Sequence, residues 1–152
     1  MPNYSQSSQE KLATCHPSLQ KVFNLVIQAF DNIILCGHRP KAEQDRVFTL
    51  GQSKVQWPNG AHNSTPSRAA DAAPYPLPQN WGAVSWELIP EEHREKLKKE
   101  IKELHKFYYF SGYVMGVAFA LGIKLRWGGD FNRNQQFDDS FVDCPHFELV
   151  ED

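Results

Sequence analysis

Apolar residues recur at helical spacing through Leu19, Val22, Phe23, Val26, Ile27 and Phe30, which predicts a helix with one buried face, capped by Ser18 and ended at Asn32. Residues 33–36 form a short unbroken apolar run closed by Gly37, the pattern of a buried strand. A second helix is predicted over 41–50, with Gly51 as its stop. From 52 to 90 the texture changes. Most of the prolines lie here, with Trp57, Trp81 and Trp86, and the segment reads as an ordered functional loop holding one short strand near 69–73. Pro90 opens a charged helix whose buried stripe is Leu97, Ile101, Leu104 and Tyr108, with Glu95 and Lys99 paired on its wet side. A break is expected near Ser111 and Gly112, then an apolar helix through Leu121, ended by Gly122. Residues 123–127 and 146–150 read as strands, and residues 1–16 as a loosely ordered lead-in.

Composition narrows the class. The 152 residues carry 16 basic and 18 acidic side chains, a net charge of -2, which leaves no electrostatic footprint for nucleic acid. Four Trp, five Tyr and ten Phe are too much apolar surface for a disordered chain. Three cysteines without CxxC spacing support neither a disulfide framework nor a cysteine zinc knuckle. The uncharged stretch 107–123 is too short and too glycine-rich for a membrane span and reads as a helix inside the domain. No secretory signal is expected at the N-terminus.

Polar residues crowd unusually among apolar ones in three segments: 37–39, 62–71 and 143–148. Together they contain the parts of a catalytic zinc site, which takes three His or carboxylate ligands and keeps one position open. His62, Asp71 and His146 supply two imidazoles and a carboxylate. Because Asp71 and His146 fall on predicted strands, the three can meet only if those strands are neighbours in one sheet. Asp143, three residues before His146 across Pro145, can stand beside the open position as a general base. The planar guanidinium of Arg39 suits a carbonyl or carboxylate clamp. Trp57, Tyr75 and Trp81 are candidate walls for a groove.

The motifs GHRPKAEQD at 37–45, HNSTPSRAADAAPYP at 62–76, FYYFSGYVMG at 107–116, RWGGDF at 126–131 and DCPHFEL at 143–149 occur in one order. In this the chain resembles the zinc D-Ala-D-Ala carboxypeptidase and L-alanyl-D-glutamate endopeptidase family of the hedgehog/DD-peptidase fold, and most of all its single-domain bacteriophage endolysins. The resemblance implies that His62, Asp71 and His146 bind zinc, that Asp143 is the base, and that Arg39 contacts substrate, with His38 a candidate to steady the oxyanion. The broader family has a serine where Gly60 stands and a His–Asp gap shorter by two residues. Ser64, Thr65 and Ser67 are candidates for the missing hydroxyl.

Asp130, Asn132, Asn134, Gln136 and Asp138 alternate like the first places of a calcium loop. Gln135 replaces the glycine of such loops and Phe141 the closing glutamate, so a solvated loop is the preferred reading and calcium the alternative.

The expectation is a single α+β catalytic domain over 1–152, helices packed on a small, mainly antiparallel sheet, with no wall-binding module. The expected function is hydrolysis of peptidoglycan stem peptides at the L-Ala–D-Glu bond, as a phage endolysin. D-Ala-D-Ala carboxypeptidase action is the alternative within the class, and a non-catalytic zinc-binding module the alternative outside it. The expected enzyme is a monomer that does not insert in the membrane. It waits in the host cytoplasm for a membrane-opening factor such as a holin, then reaches the cell wall.

Overall fold

The computed structural model describes residues 2–78, 93–136 and 139–150. Trp81, Trp86, the predicted helix start at Pro90, the Glu95 side chain and Asp138 lie outside the described residues.

The lead-in expected at the N-terminus is instead anchored structure. Helix α1 spans Gln6–Ala13, with the Ser5 hydroxyl accepting from the Ser8 amide. Only Ser8 and Leu12 of this helix are buried, so its sequence carries almost no apolar period. What ties it down is polar. The Ser8 hydroxyl accepts the Ile34 amide at 3.2 Å, and the Tyr4 hydroxyl donates to the Phe23 carbonyl at 3.0 Å.

Helix α2 spans Pro17–Ala29 and buries the predicted stripe from Leu19 to Ile27. Its cap is His16, whose Nδ1 accepts the Ser18 amide at 3.2 Å, and Pro17 takes the first position, where a missing N–H is harmless. Strand β1 (Asn32–Cys36), helix α3 (Lys41–Thr49), a single 3-10 turn (Ala61–Asn63) and strand β2 (Ala69–Pro74) follow. Helix α4 runs unbroken over Arg94–Ala120, correcting the break expected at Ser111 and Gly112. The Ser111 hydroxyl donates to the Tyr108 carbonyl within the helix, so it is satisfied without leaving it. Strands β3 (Leu125–Trp127) and β4 (His146–Leu149) complete the chain order. Among the described residues no helix is long and apolar enough to cross a membrane.

The four strands form one sheet in the order β1-β2-β4-β3, antiparallel at every pairing. Side chains alternate along a strand, so the β2–β4 register sorts this sheet into two faces. Ala70 opposes Phe147, and Phe147 points to the helices, 5.7 Å from Phe23 and 5.9 Å from Phe110 between ring centroids. Burying that ring contributes about 2–3 kcal/mol. Asp71 opposes His146 and Ala69 opposes Glu148, so these side chains share the other face. On the neighbouring strand the register slips between Ile34 and Cys36, which sets Cys36 opposite Asp71. Such a bulge re-aims a side chain, here toward the polar face.

Gly128 fixes the turn before β4. Its carbonyl accepts the Asp143 amide and its amide donates to the His146 carbonyl, both at 2.8 Å. A Cβ at this position would collide with the Asp143 carbonyl, so only glycine allows the 143–146 turn to lie this close.

Candidate metal centre

The polar face of the two central strands gathers three donor atoms. His62 Nε2 is 3.0 Å from Asp71 Oδ1 and 3.2 Å from His146 Nδ1, and His146 Nδ1 is 3.1 Å from the same oxygen. This triangle is close to the ~3.3 Å edge of a tetrahedron of donors about 2.0 Å from a zinc ion. Three hydrogen-bonding atoms aimed at one point compete for a single proton, whereas one cation satisfies all of them. The donor set therefore fits a divalent metal.

The outer atoms of each of these three side chains are held. His62 Nδ1 lies 2.6 Å from the Gly37 carbonyl, which makes it the protonated nitrogen and leaves Nε2 as the donor to a metal. His146 Nε2 lies 3.4 Å from Glu148 Oε2, and Glu148 in turn is gripped by Arg126. Asp71 presents its second oxygen to Arg39 at 3.2 Å. The motif at 143–149 contains Glu148 without marking a role for it. The signal was available, since it lies two residues after His146 on a strand and so on the same face. Replacing Glu148 with glutamine is expected to weaken metal affinity about 10–100-fold, read by competition with a chelating dye.

Charges in the metal-free site are strongly linked. Burial works against a proton on His62, but the Asp71 carboxylate outweighs it and pushes the group up to about 10. His146 behaves likewise through Asp71 and Glu148, reaching about 9. Burial also opposes the Asp71 charge, yet both imidazoles hold its carboxyl far below the ordinary range. Folded values above the free-histidine range mean that the stabilisation is full below pH ~6.5 and is lost as pH rises through 9–10. Metal entry must displace these protons. Titration calorimetry at pH 7 in buffers of different ionisation heat is expected to show release of on the order of one to two protons per zinc.

Asp143 stands at the rim. One carboxylate oxygen of Asp143, one of Asp71 and a ring nitrogen of His146 lie within 4.8 Å of one another. Burial, then the Asp71 charge, raises its carboxyl above the ordinary range, against the pull of both imidazoles and Arg39. A second group of possible ligands, Cys36 with His62 and Asp71, meets the same 4.8 Å limit. The sequence gives no sign of Cys36 here, because the bulge that turns it toward Asp71 leaves no mark in an apolar run.

The site opens into a cavity of about 420 Å³ whose lining includes Arg39, Lys54, Phe131, Phe141, Asp143 and His146. His38 is not part of that wall. Its Nδ1 lies 2.9 Å from the Ser64 carbonyl, in the packing of the loop. Trp57 and Tyr75 do not line the cavity either, and among the described residues its phenyl rings are those of Phe131 and Phe141. At Gly60 a Cβ would lie 2.7 Å from Asn63 Oδ1, which already accepts the Gly60 amide. Asn63 and Gln44, bonded to each other at 3.2 Å, fill the polar space next to Gly60. Ser64 and Ser67 spend their hydroxyls on nearby backbone carbonyls.

The 130–136 loop is closed by its own amides. Asp130 accepts from Asn134 and Gln135, Asn132 from Asn134, and Asn134 from Gln136.

Comparison with known proteins points the same way as the geometry. A family model described as phage L-alanyl-D-glutamate peptidase matches residues 2–150. The L-alanyl-D-glutamate peptidase of Escherichia phage T5 is 29% identical over 153 residues, 97% of either chain. The crystal structure of the Serratia marcescens L-Ala D-Glu endopeptidase ChiX aligns with a TM-score of 0.63 at 23% identity, over 97% of this chain and 90% of that one, a likeness of fold. With nearly its whole length matched and the α+β, antiparallel architecture shared, the chain belongs to the phage L-alanyl-D-glutamate peptidase family.

Proposed function

We propose that the chain is a zinc peptidase that cuts the amide bond between L-alanine and D-glutamate in peptidoglycan stem peptides, acting as a phage endolysin. The observation that carries this is the triangle of His62, Asp71 and His146 donors at the end of a cavity, with Asp143 at its rim.

His62, Asp71 and His146 would hold the ion, which supplies Lewis-acid polarisation of the scissile carbonyl and makes water a better nucleophile near neutral pH. Asp143 takes a proton from the water as its oxygen attacks the alanyl carbonyl carbon. The C–N bond then breaks, and Asp143 returns that proton to the departing amine of D-glutamate. A carboxylate placed within 4.8 Å of Asp71 and His146 suits both halves of this task, because it can take the proton from water and give it back to the amine. Arg39, already tied to Asp71, keeps the ligand oriented and presents its remaining N–H groups at the cavity wall, where a substrate oxygen can accept them.

Residues 1–152 are proposed to act as one catalytic domain. Membership of a phage family supports synthesis in the host cytoplasm and action on the wall once a separate factor such as a holin opens the membrane.

Mass spectrometry of material released from purified Gram-negative sacculi tests the bond assignment. Free peptides beginning with D-glutamate, and glycan retaining L-alanine, are expected. Release of terminal D-alanine alone would assign carboxypeptidase action instead, and no release at all would favour a non-catalytic zinc module.

A further inference from the structure

Three cations line the cavity: Arg39, Lys54 and Arg126. Two of them are already neutralised. Arg39 is paired with Asp71, and Arg126 with Glu148 while lying over the Phe131 ring at 5.7 Å. Lys54 differs. Its ammonium makes no ion pair with any described carboxylate and lies 5.8 Å from the centre of the Phe141 ring, in the lining of the same cavity that Asp143 and His146 reach.

An unpaired cation against an aromatic ring on a substrate wall is a receptor for an anion. The substrate proposed above carries one close to the reacting atoms. The stem peptide continues through the side-chain carboxyl of D-glutamate, so the α-carboxylate on the carbon beside the scissile nitrogen stays free. Arg39 and Arg126 each already face a carboxylate, whereas Lys54 faces none among the described residues and has its full charge to offer.

We infer that Lys54 recognises the free α-carboxylate of the D-glutamyl residue and makes the enzyme selective for stem peptides in which that carboxylate is not amidated. The inference rests on the L-Ala–D-Glu reading. Phe141 shapes the corner, and the carboxylate holds the leaving-group side of the substrate while the alanyl carbonyl lies at the metal end.

The test compares two synthetic stem peptides that differ only at this group, one with D-glutamate and one with D-isoglutamine. The zinc-loaded wild-type enzyme is expected to favour the carboxylate by about 10–100-fold in kcat/KM, the range of a charge-assisted hydrogen bond. Lys54→Met is expected to bring the ratio near one, chiefly through KM for the carboxylate peptide. Lys54→Arg is expected to keep the preference, and Lys54→Glu to reverse it. Binding of both peptides to the metal-free proteins is expected to show the same ordering in Kd. A wild type that cleaves both peptides equally, or a Lys54→Met enzyme that keeps the wild-type ratio, overturns the role of Lys54 and leaves the bond assignment standing. A wild type that cleaves neither overturns the bond assignment, and the role of Lys54 with it.

Discussion

Asp143→Ala is expected to lower kcat by about 10²–10⁴-fold, the usual contribution of a positioned general base, while the protein still binds one zinc per chain. The two readouts separate because Asp143 is outside the triangle of donor atoms, yet within 4.8 Å of Asp71 and His146. The main-chain contacts of the turn, Asp143 amide to Gly128 carbonyl and His146 amide to Asp143 carbonyl, do not depend on the side chain, so the fold should survive. Steady-state hydrolysis with metal analysis on the same sample decides it. Parental activity in the mutant would remove Asp143 from the mechanism, and loss of zinc would make it a ligand.

Asp71→Asn is expected to have the broadest effect. Its carboxylate joins both imidazoles and Arg39, with 14% of its side chain exposed. Removing the charge leaves the Arg39 guanidinium unmatched at low exposure, a loss of about 3 kcal/mol or more when one partner of a buried pair is taken away. Zinc affinity should fall by at least about 100-fold as one of three ligands loses its charge. The histidines supply a diagnostic. Burial alone pushes an imidazole down, and Asp71 is what lifts His62 and His146, so both should titrate well below 9–10 in the metal-free variant. Histidine NMR shifts against pH measure this, and unchanged titration would mean that Asp71 is not the dominant partner.

Elements with a clean period were legible in the sequence, and so was the convergence of His62, Asp71 and His146. A carboxylate on one short strand and an imidazole on another required adjacent strands, and β2 and β4 pair with Asp71 directly opposite His146. What stayed hidden depends on contacts between distant residues. Helix α1 buries only Ser8 and Leu12, and Tyr4 and Ser8 hold the segment through hydrogen bonds that no period announces. The slip at Ile34–Cys36 that turns Cys36 toward Asp71 is set by pairing with β2, not by local propensity. The same holds for Asn63 and Gln44, which fill the space beside Gly60 from a turn and a helix far apart in sequence. Serine and glycine at 111–112 suggest a break only where no carbonyl is at hand, and α4 offers the Tyr108 carbonyl.

Two imidazoles and a carboxylate around one ion can be separated from the overlapping group that includes Cys36 by a single measurement. X-ray absorption at the zinc edge of the loaded protein should show one nitrogen and oxygen shell near ~2.0 Å with the multiple scattering of two imidazoles. A sulfur shell near ~2.3 Å, or the scattering of fewer than two imidazoles, would contradict it and move the metal away from His62, Asp71 and His146.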